Sequence, residues 1–210
     1  MSSTNRGGQR TPADNYPTPT WCVRRLLEEK RMQAALSWQA RDANWCEPCA
    51  GDGAIIRAAN EVYSSIKWTA MEIRPECQTD LHSLGKTFCP QDFLQTSFDF
   101  EFLPSTRIYD VIITNPPFSL AMEFLKQCLE LERPLAWHVI FLLRLNFLAS
   151  AQRNEFLRKH IPDVYVLPNR PSFDKKGTDS IEYAWFHFHK YAAGALIVLP
   201  VTSLEERKRG

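Results

Sequence analysis

A short apolar run that ends in asparagine, two prolines and phenylalanine carries the strongest chemical signal in the chain. Val111–Ile113 is an unbroken β-branched run, which is typical of a strand buried on both faces. The segment Asn115–Phe118 then ends that strand, because proline cannot donate to a β-ladder and fixes its own φ. The pattern predicts a rigid loop at the carboxyl end of a parallel strand, where α/β sheets bind ligands.

The groups on this loop suit a planar substrate that bears an amino group. Asn115 supplies a polar amide, Pro116 a carbonyl that no neighbouring N–H can claim, and Phe118 an exposed aromatic face. A strand that simply ends in a Pro-Pro turn is the alternative interpretation of the same four residues. The surrounding chain has to decide between a catalytic loop and a plain turn.

A glycine-containing turn follows the first predicted strand. Gly51 and Gly53 stand between that strand and a helix, so the backbone can approach a ligand and the helix N-terminus can offer free N–H groups. Glu72 ends the next predicted strand, where a carboxylate can accept two ribose hydroxyls. Asp92 follows the third strand and can accept from an exocyclic amino group. The order of these residues favours a binding site over a plain tight turn.

Alternating helices and strands must position these residues. Helices are predicted over 21–38, 54–63, 75–84, 120–131 and 152–160, and strands over 43–46, 67–73, 87–89, 110–114, 136–145, 163–167 and 182–189. This alternation predicts an α/β fold with a seven-stranded, mostly parallel sheet and helices on both faces. The last strand follows its predecessor without a helix, so it is predicted to run antiparallel beside the fifth.

Composition limits the possible functions. The 210 residues include 25 Lys plus Arg against 24 Asp plus Glu, so any basic surface for nucleic acid must be local. The six cysteines are expected to be reduced thiols in the cytoplasm, and neither they nor the five histidines are expected to form a metal site or a cluster. No apolar run is long enough to span a bilayer.

The domain organisation is predicted to be simple. Residues 1–14 are polar and expected to be an unstructured tail, 15–195 a single domain, and 196–210 a C-terminal tail. Neither the stretch between Asp92 and Asp110 nor the C-terminal tail can hold a separate target-recognition domain. Specificity is therefore expected to be low, to come from short loops such as 169–180, or to come from a protein partner.

Taken together, these motifs resemble those of class I S-adenosylmethionine-dependent methyltransferases, specifically the group that methylates adenine at N6. Glu47–Gly53 resembles the cofactor motif of that family, and Asn115–Phe118 its catalytic (D/N)PP(Y/F/W) motif. Asn15–Pro19 resembles the segment that closes over the methionine end of the cofactor. The loop Arg170–Ser180, with Glu182–Trp185, is similar to one in small phage and prophage members. The implied fold is Rossmann-like.

The resemblance implies S-adenosylmethionine as the cofactor, S-adenosylhomocysteine as the product, and no metal. Glu72 would hold the ribose, Ile73 would pack on the cofactor's adenine, and Asp92 would accept from its amino group. The other positions implied to bind the cofactor are Tyr16, Thr18, Pro19, Glu47, Pro48, Ala50, Gly51, Gly53, Phe93 and Asn115.

The resemblance also implies roles at the target base. The catalytic residues would be Asn115, Pro116, Pro117 and Phe118, with the amino group bonded to the Asn115 side chain and the Pro116 carbonyl. Phe118 would stack on a base that is flipped out of a duplex or comes from a single strand. The remaining substrate contacts would be Arg144, Arg170, Phe173, Lys175 and Lys176, the basic ones on the nucleic-acid backbone.

The leading hypothesis is an enzyme that methylates adenine N6 in DNA. RNA is an alternative polymer, because the loop motif serves both. Protein glutamine methyltransferases share the catalytic motif, but usually with tyrosine where this chain has Phe118. A non-catalytic binding subunit with the same fold is a further alternative, although Asn115 and the glycine turn are intact.

Overall fold

One mixed β-sheet organises the chain. The computed structural model describes residues 17–37, 41–84, 87–98, 107–173 and 180–208. Within these ranges the strands are β1 (Arg41–Glu47), β2 (Ser65–Met71), β3 (Thr87–Cys89), β4 (Tyr109–Thr114), β5 (Ala136–Arg144), β6 (Asp163–Val166), β7 (Tyr183–His189) and β8 (Leu196–Val198). They pair in the order β3-β2-β1-β4-β5-β7-β6-β8.

Seven of the eight strands run in the same direction. Strand β7 is antiparallel to both of its neighbours, β5 and β6, while every other pairing is parallel. The predicted antiparallel strand beside the fifth is therefore confirmed. The strand order reverses between β1 and β4, so a crevice opens beyond their carboxyl ends.

Helices cover both faces of the sheet, as predicted. The α-helices are α1 (Thr20–Leu27), α2 (Lys30–Ala35), α3 (Ala54–Val62), α4 (Gln78–Ser83), α5 (Ala121–Leu129), α6 (Asn154–Lys159) and α7 (Leu204–Lys208). Helices α1 to α4 contribute buried side chains to the core on one face, and α5 and α6 to the core on the other. Strand β4 serves both cores, because Val111 and Ile113 face one and Ile112 the other.

Two predictions about the elements were wrong. The sheet has an eighth strand, Leu196–Val198, which pairs with β6 at the edge of the sheet. The single helix predicted over 21–38 is two helices, because Glu29 is extended (φ −68°, ψ 127°) and separates α1 from α2. The Glu29 carboxylate accepts a hydrogen bond from the backbone N–H of Arg31 at 3.4 Å, so it caps α2.

Among the residues that the structure describes, no helix combines the length and the apolar character that a membrane span requires.

Trp185 ties the sheet to α1, and its replacement tests that packing. Its indole Nε1 donates to the carbonyl of Cys22 at 3.0 Å, and its side chain is fully buried. We expect Trp185→Phe to lower the free energy of unfolding by about 2–3 kcal/mol, because it removes this hydrogen bond and leaves a cavity. Urea denaturation measures the change. Trp137→Phe is the control, because Trp137 is 40% exposed; an equal loss in both variants would contradict the prediction.

Candidate active site

The turn after β1 and the end of β2 form one hydrogen-bonded unit. Gly51 and Gly53 both have positive φ, at 54° and 82°, as the sequence predicts for this turn. A Cβ atom on Gly53 would lie 2.5 Å from Cδ1 of Leu84, so any other residue there would have to displace this side chain as well as adopt a positive φ. The backbone N–H of Gly51 donates to Oε2 of Glu72 at 2.8 Å. The turn and the end of the second strand are thereby brought together.

Glu72 is held by an arginine that sequence reasoning missed. The backbone N–H and Nε of Arg74 each donate to Oε1 of Glu72 at 3.0 Å, and Nη2 donates to Oε2 at 3.2 Å. Burial opposes ionisation of Glu72, but the hydrogen bonds from Arg74 and Gly51 outweigh it and lower the pKa of the carboxyl. A ribose bound by Glu72 would have to displace part of this arginine fork. An arginine two residues after a carboxylate has no sequence signature.

Glu47 is the most unusual group at this edge of the sheet. It ends β1 and is buried, and within the described part of the chain its Oε2 has no hydrogen-bond partner. Burial raises its pKa well above the ordinary value, and the nearby carboxylates of Asp52 and Glu72 raise it further. A buried acidic group with an open oxygen favours a ligand that carries positive charge.

The loop after β4 leaves the sheet beside the end of β1. Because Cys46 pairs with Ile112 in parallel register, the residues that follow β1 and β4 leave the sheet side by side. Asn115 is partly exposed and Pro116 is buried. The carbonyl of Pro117 accepts from the N–H of Leu120 at 2.9 Å, which closes the loop into a turn. The loop is thus fixed at the crevice.

Phe118 belongs to a row of aromatic rings. Its ring centroid is 5.6 Å from that of Tyr183, which in turn is 5.1 Å from that of Phe173. The guanidinium of Arg144 lies over the Phe118 ring, 4.6 Å from its centroid. Phe173 is buried against Tyr183 rather than projecting from a loop. Tyr183 was not singled out by the sequence, because only the strand pairing brings it to Phe118.

The other residues predicted to bind the cofactor from the first two strands and the N-terminal segment differ in their exposure. Ile73 is 60% exposed beside Glu72, so its apolar side chain is available to a ligand. Pro48, Ala50 and Thr18 are buried, while Pro19 is partly exposed and starts α1. Tyr16 lies outside the described residues, so its predicted role stays a prediction.

The third strand contributes one accessible acid. The partly exposed Asp92 accepts the N–H of Leu94 on Oδ1 at 2.9 Å. The side chain of Phe93 is buried and stacks on Phe124, with the ring centroids 5.4 Å apart. Only the backbone of Phe93 therefore remains available to a ligand.

Of the basic residues predicted on the loop 169–180 to contact the substrate, the structure describes only one. Arg170 is half-exposed and donates from Nη2 to the Glu182 carboxylate at 2.6 Å. Lys175 and Lys176 lie outside the described residues, so their predicted backbone contacts stay predictions.

The expectation that the histidines form no cluster was wrong. His138, His187 and His189 lie together on the sheet, away from the crevice. All four residues of Trp185–Phe188 are buried, because strand β7 lies inside the sheet between β5 and β6 with both faces covered.

Comparison with known proteins identifies the fold. No protein-family model and no curated protein matches the chain. A provisionally assigned RNA methyltransferase from Pyrococcus horikoshii superimposes with a TM-score of 0.61 at 16% identity, over 90% of this chain and 94% of its own. A provisional class I S-adenosylmethionine-dependent methyltransferase from Listeria monocytogenes gives 0.53 at 11% identity, over 88% and 63%. The chain has the class I methyltransferase fold.

A third structure with this fold is a dimethyladenosine transferase from Plasmodium falciparum. It superimposes with a TM-score of 0.51 at 12% identity, over 77% of this chain and 62% of its own. In the class I methyltransferase fold of this chain, Glu47 and the Asn115–Phe118 loop flank the point where the strand order reverses.

The buried acid predicts a stability that depends on pH. Because the folded state raises the pKa of Glu47, the protonated form is favoured by folding, and this stability is lost as pH rises above the ordinary glutamate value of about 4.3. Glu47→Gln should therefore stabilise the ligand-free protein at pH 8 by on the order of 1–3 kcal/mol and change little at pH 4. Thermal unfolding at both pH values measures this.

The exposed residue Glu123 provides the control for this experiment. Glu123→Gln should leave the pH dependence of unfolding unchanged. A Glu47→Gln variant that is less stable than the wild type at pH 8 would show that Glu47 is ionised and satisfied in the fold.

Proposed function

We propose that this protein transfers the methyl group of S-adenosylmethionine to the N6 amino group of adenine in DNA. The observation that carries the proposal is the position of Asn115–Phe118, which directly follows β4 beside the buried, open carboxyl of Glu47 at the end of β1. A loop with amide, carbonyl and aromatic groups would thus lie next to an acidic group suited to a cationic ligand.

The groups around the turn fit S-adenosylmethionine. Glu47 would accept from its cationic methionine end, because that carboxyl is buried and has an open oxygen. The positive φ of Gly51 and Gly53 forms the tight turn that would bring the backbone close to the ligand. Glu72 would accept the ribose hydroxyls once Arg74 turns aside, and the exposed side chain of Ile73 would cover the cofactor's adenine ring. When bound, the cofactor supplies a methyl group on a sulfonium with a neutral leaving group.

The chain's own contribution to the reaction is to orient the target amine. The lone pair of an aryl amine is delocalised into its ring and is a weak nucleophile. Asn115 Oδ1 and the Pro116 carbonyl would accept its two N–H bonds, which favours a pyramidal nitrogen whose lone pair points at the methyl group. Because the methyl donor is already activated, positioning and electrostatics supply most of the rate enhancement.

The aromatic row would hold the target base. Phe118 is partly exposed, and Tyr183 supports its ring from within the core. Arg144 now covers a face of Phe118. A base that stacks on that face would displace Arg144, whose guanidinium would then be free to contact a backbone phosphate. Such a base must leave its duplex or come from a single strand.

RNA is the second candidate substrate. Two proteins that share the fold are named for RNA and for dimethyladenosine, which favours a nucleic-acid base as the target and makes RNA the next polymer to test. The chain has no large charge excess to recruit either polymer, since 25 basic residues face 24 acidic ones. Specificity would come from short loops or from a protein partner.

A single assay separates these substrates. Purified protein and methyl-labelled S-adenosylmethionine are incubated with duplex DNA, single-stranded DNA, RNA and total protein, and the nucleosides are analysed by mass spectrometry. We expect label in N6-methyladenine from DNA. Label in RNA alone would favour the second candidate. Label in protein, or cofactor binding without any transfer, would overturn the proposal.

Asn115→Ala tests the orienting role directly. Removing the amide should lower kcat by at least about 100-fold, because one acceptor of the amine is lost, while cofactor affinity changes little. Turnover and calorimetric titration with S-adenosylhomocysteine measure the two quantities. Asn154→Ala, at an exposed position at the start of α6, is the control and should match the wild type. Full activity in Asn115→Ala would contradict the mechanism.

A further inference from the structure

Three histidines on two adjacent strands form a compact group at the end of the sheet opposite the crevice. We call it the histidine cluster; it consists of His138 on β5, and His187 and His189 on β7. His138 pairs directly with His189 in the antiparallel register. Residues two apart on a strand point to the same face, so His187 joins them. We propose that the histidine cluster binds a divalent transition-metal ion of the zinc class.

The distances within the cluster are close to those of a metal site. One ring nitrogen from each histidine lies within 4.8 Å of the other two. Nδ1 of His138 and Nε2 of His187 are 2.8 Å apart. Three imidazoles around tetrahedral zinc, at a bond length of about 2.1 Å, place their nitrogens about 3.4 Å apart. The nitrogens would therefore have to shift by roughly 0.6 Å to 1.4 Å relative to one another, which side-chain rotation can supply.

One ring nitrogen of the cluster is buried and has no partner in the part of the protein that the structure describes. Neutral imidazoles are the form that binds metals. Within the described residues, Nδ1 of the fully buried His187 has no hydrogen-bond partner. Nε2 of the same ring is hydrogen-bonded to Nδ1 of His138, and Nε2 of His189 to Asp163, so Nδ1 of His187 is the buried nitrogen of the cluster that a ligand could still use.

A carboxylate behind the cluster completes the pattern. Oδ2 of Asp163 lies 3.3 Å from Nε2 of His189, an arrangement that orients metal-binding histidines in many proteins. Asp163 is itself fixed, because its carboxylate accepts from the N–H groups of Ala193 at 3.2 Å and Ala195 at 2.8 Å. With Nε2 bonded to Asp163, Nδ1 of His189 is the nitrogen left for a metal. Asp163 also offsets the charge of Arg31, whose Nη2 is 3.2 Å away.

The site is separate from the methyl-transfer crevice. His138 is close to the amino end of β5, whereas the crevice lies beyond the carboxyl ends of the parallel strands. His189 is also one of the residues that line a cavity of about 360 Å³. A metal here would cross-link β5 and β7. Its role would be structural, holding the antiparallel strand in the sheet.

Metal binding is tested on the full-length protein, which is first treated with a chelator, then incubated with Zn²⁺ and freed of excess metal. We expect one Zn²⁺ per chain by elemental analysis and a rise in the unfolding temperature on addition of Zn²⁺. Co²⁺ should give the visible bands of a tetrahedral nitrogen site without a thiolate charge-transfer band, which excludes the six cysteines as ligands. His189→Ala and His138→Ala should each weaken Zn²⁺ binding at least about 100-fold.

Two controls keep the proposal falsifiable. His82→Ala removes an exposed histidine far from the cluster, and His160→Ala removes one that lines the cavity outside it; both should bind Zn²⁺ like the wild type. Because the buried ring of His138 could be needed for folding, the more accessible His189→Gln gives a second test, with circular dichroism to verify its fold. No Zn²⁺ in the wild type, unchanged affinity in the His189 variants, or a cobalt–thiolate band would overturn the proposal.

Discussion

Parallel pairing between β1 and β4 is the constraint on which the candidate active site depends. The register Cys46–Ile112 places Glu47 level with Ile113, just before the Asn115–Phe118 loop leaves the sheet. The strand order reverses at this pair, so the helices that follow β1 and β4 pack on opposite faces and leave a crevice between them. This pairing joins residues that are far apart in the sequence, so local sequence patterns do not encode it.

A group of neighbouring acidic side chains is the second feature of this crevice that bears on its chemistry. The carboxyl groups of Glu47, Asp52 and Glu72 lie near one another, but they differ in whether an arginine pairs with them. Glu72 is neutralised by the Arg74 fork, and Arg57 Nη2 lies 3.0 Å from the Asp52 carboxylate. Glu47 alone is buried with an open oxygen in the described structure. A cation bound beside Glu47 would favour the ionised form of this carboxyl, which suits a sulfonium-bearing cofactor.

Much of the fold could be predicted because local patterns and packing agree. The β-branched run Val111–Ile113 is buried on both sides, and the positive φ of Gly51 and Gly53 matches the turn read from the sequence. Strand β8 could not be predicted, since Leu196–Val198 is short, mostly exposed and paired on one side only. It has neither the alternation nor the length that marks a strand.

The histidine cluster shows where sequence reasoning stops. The antiparallel pairing of β5 and β7 was predicted, but its register was not, and only the register sets His138 opposite His189. The Arg74 fork and the contact between Phe118 and Tyr183 have the same origin, because each depends on side-chain geometry that no spacing encodes. The residue types indicated which chemistry the crevice could perform, whereas the strand pairing determines which side chains come into contact there.

A structure of the protein in complex with S-adenosylhomocysteine tests the central claim most directly. The methionine end of the ligand should lie against the Glu47 carboxyl, its ribose should bond to Glu72 with the Arg74 guanidinium turned away, and its sulfur should face Asn115. A ligand bound elsewhere, or one that leaves the Glu72–Arg74 fork intact and does not contact Glu47, would contradict the assignment of this crevice as the methyl-transfer site.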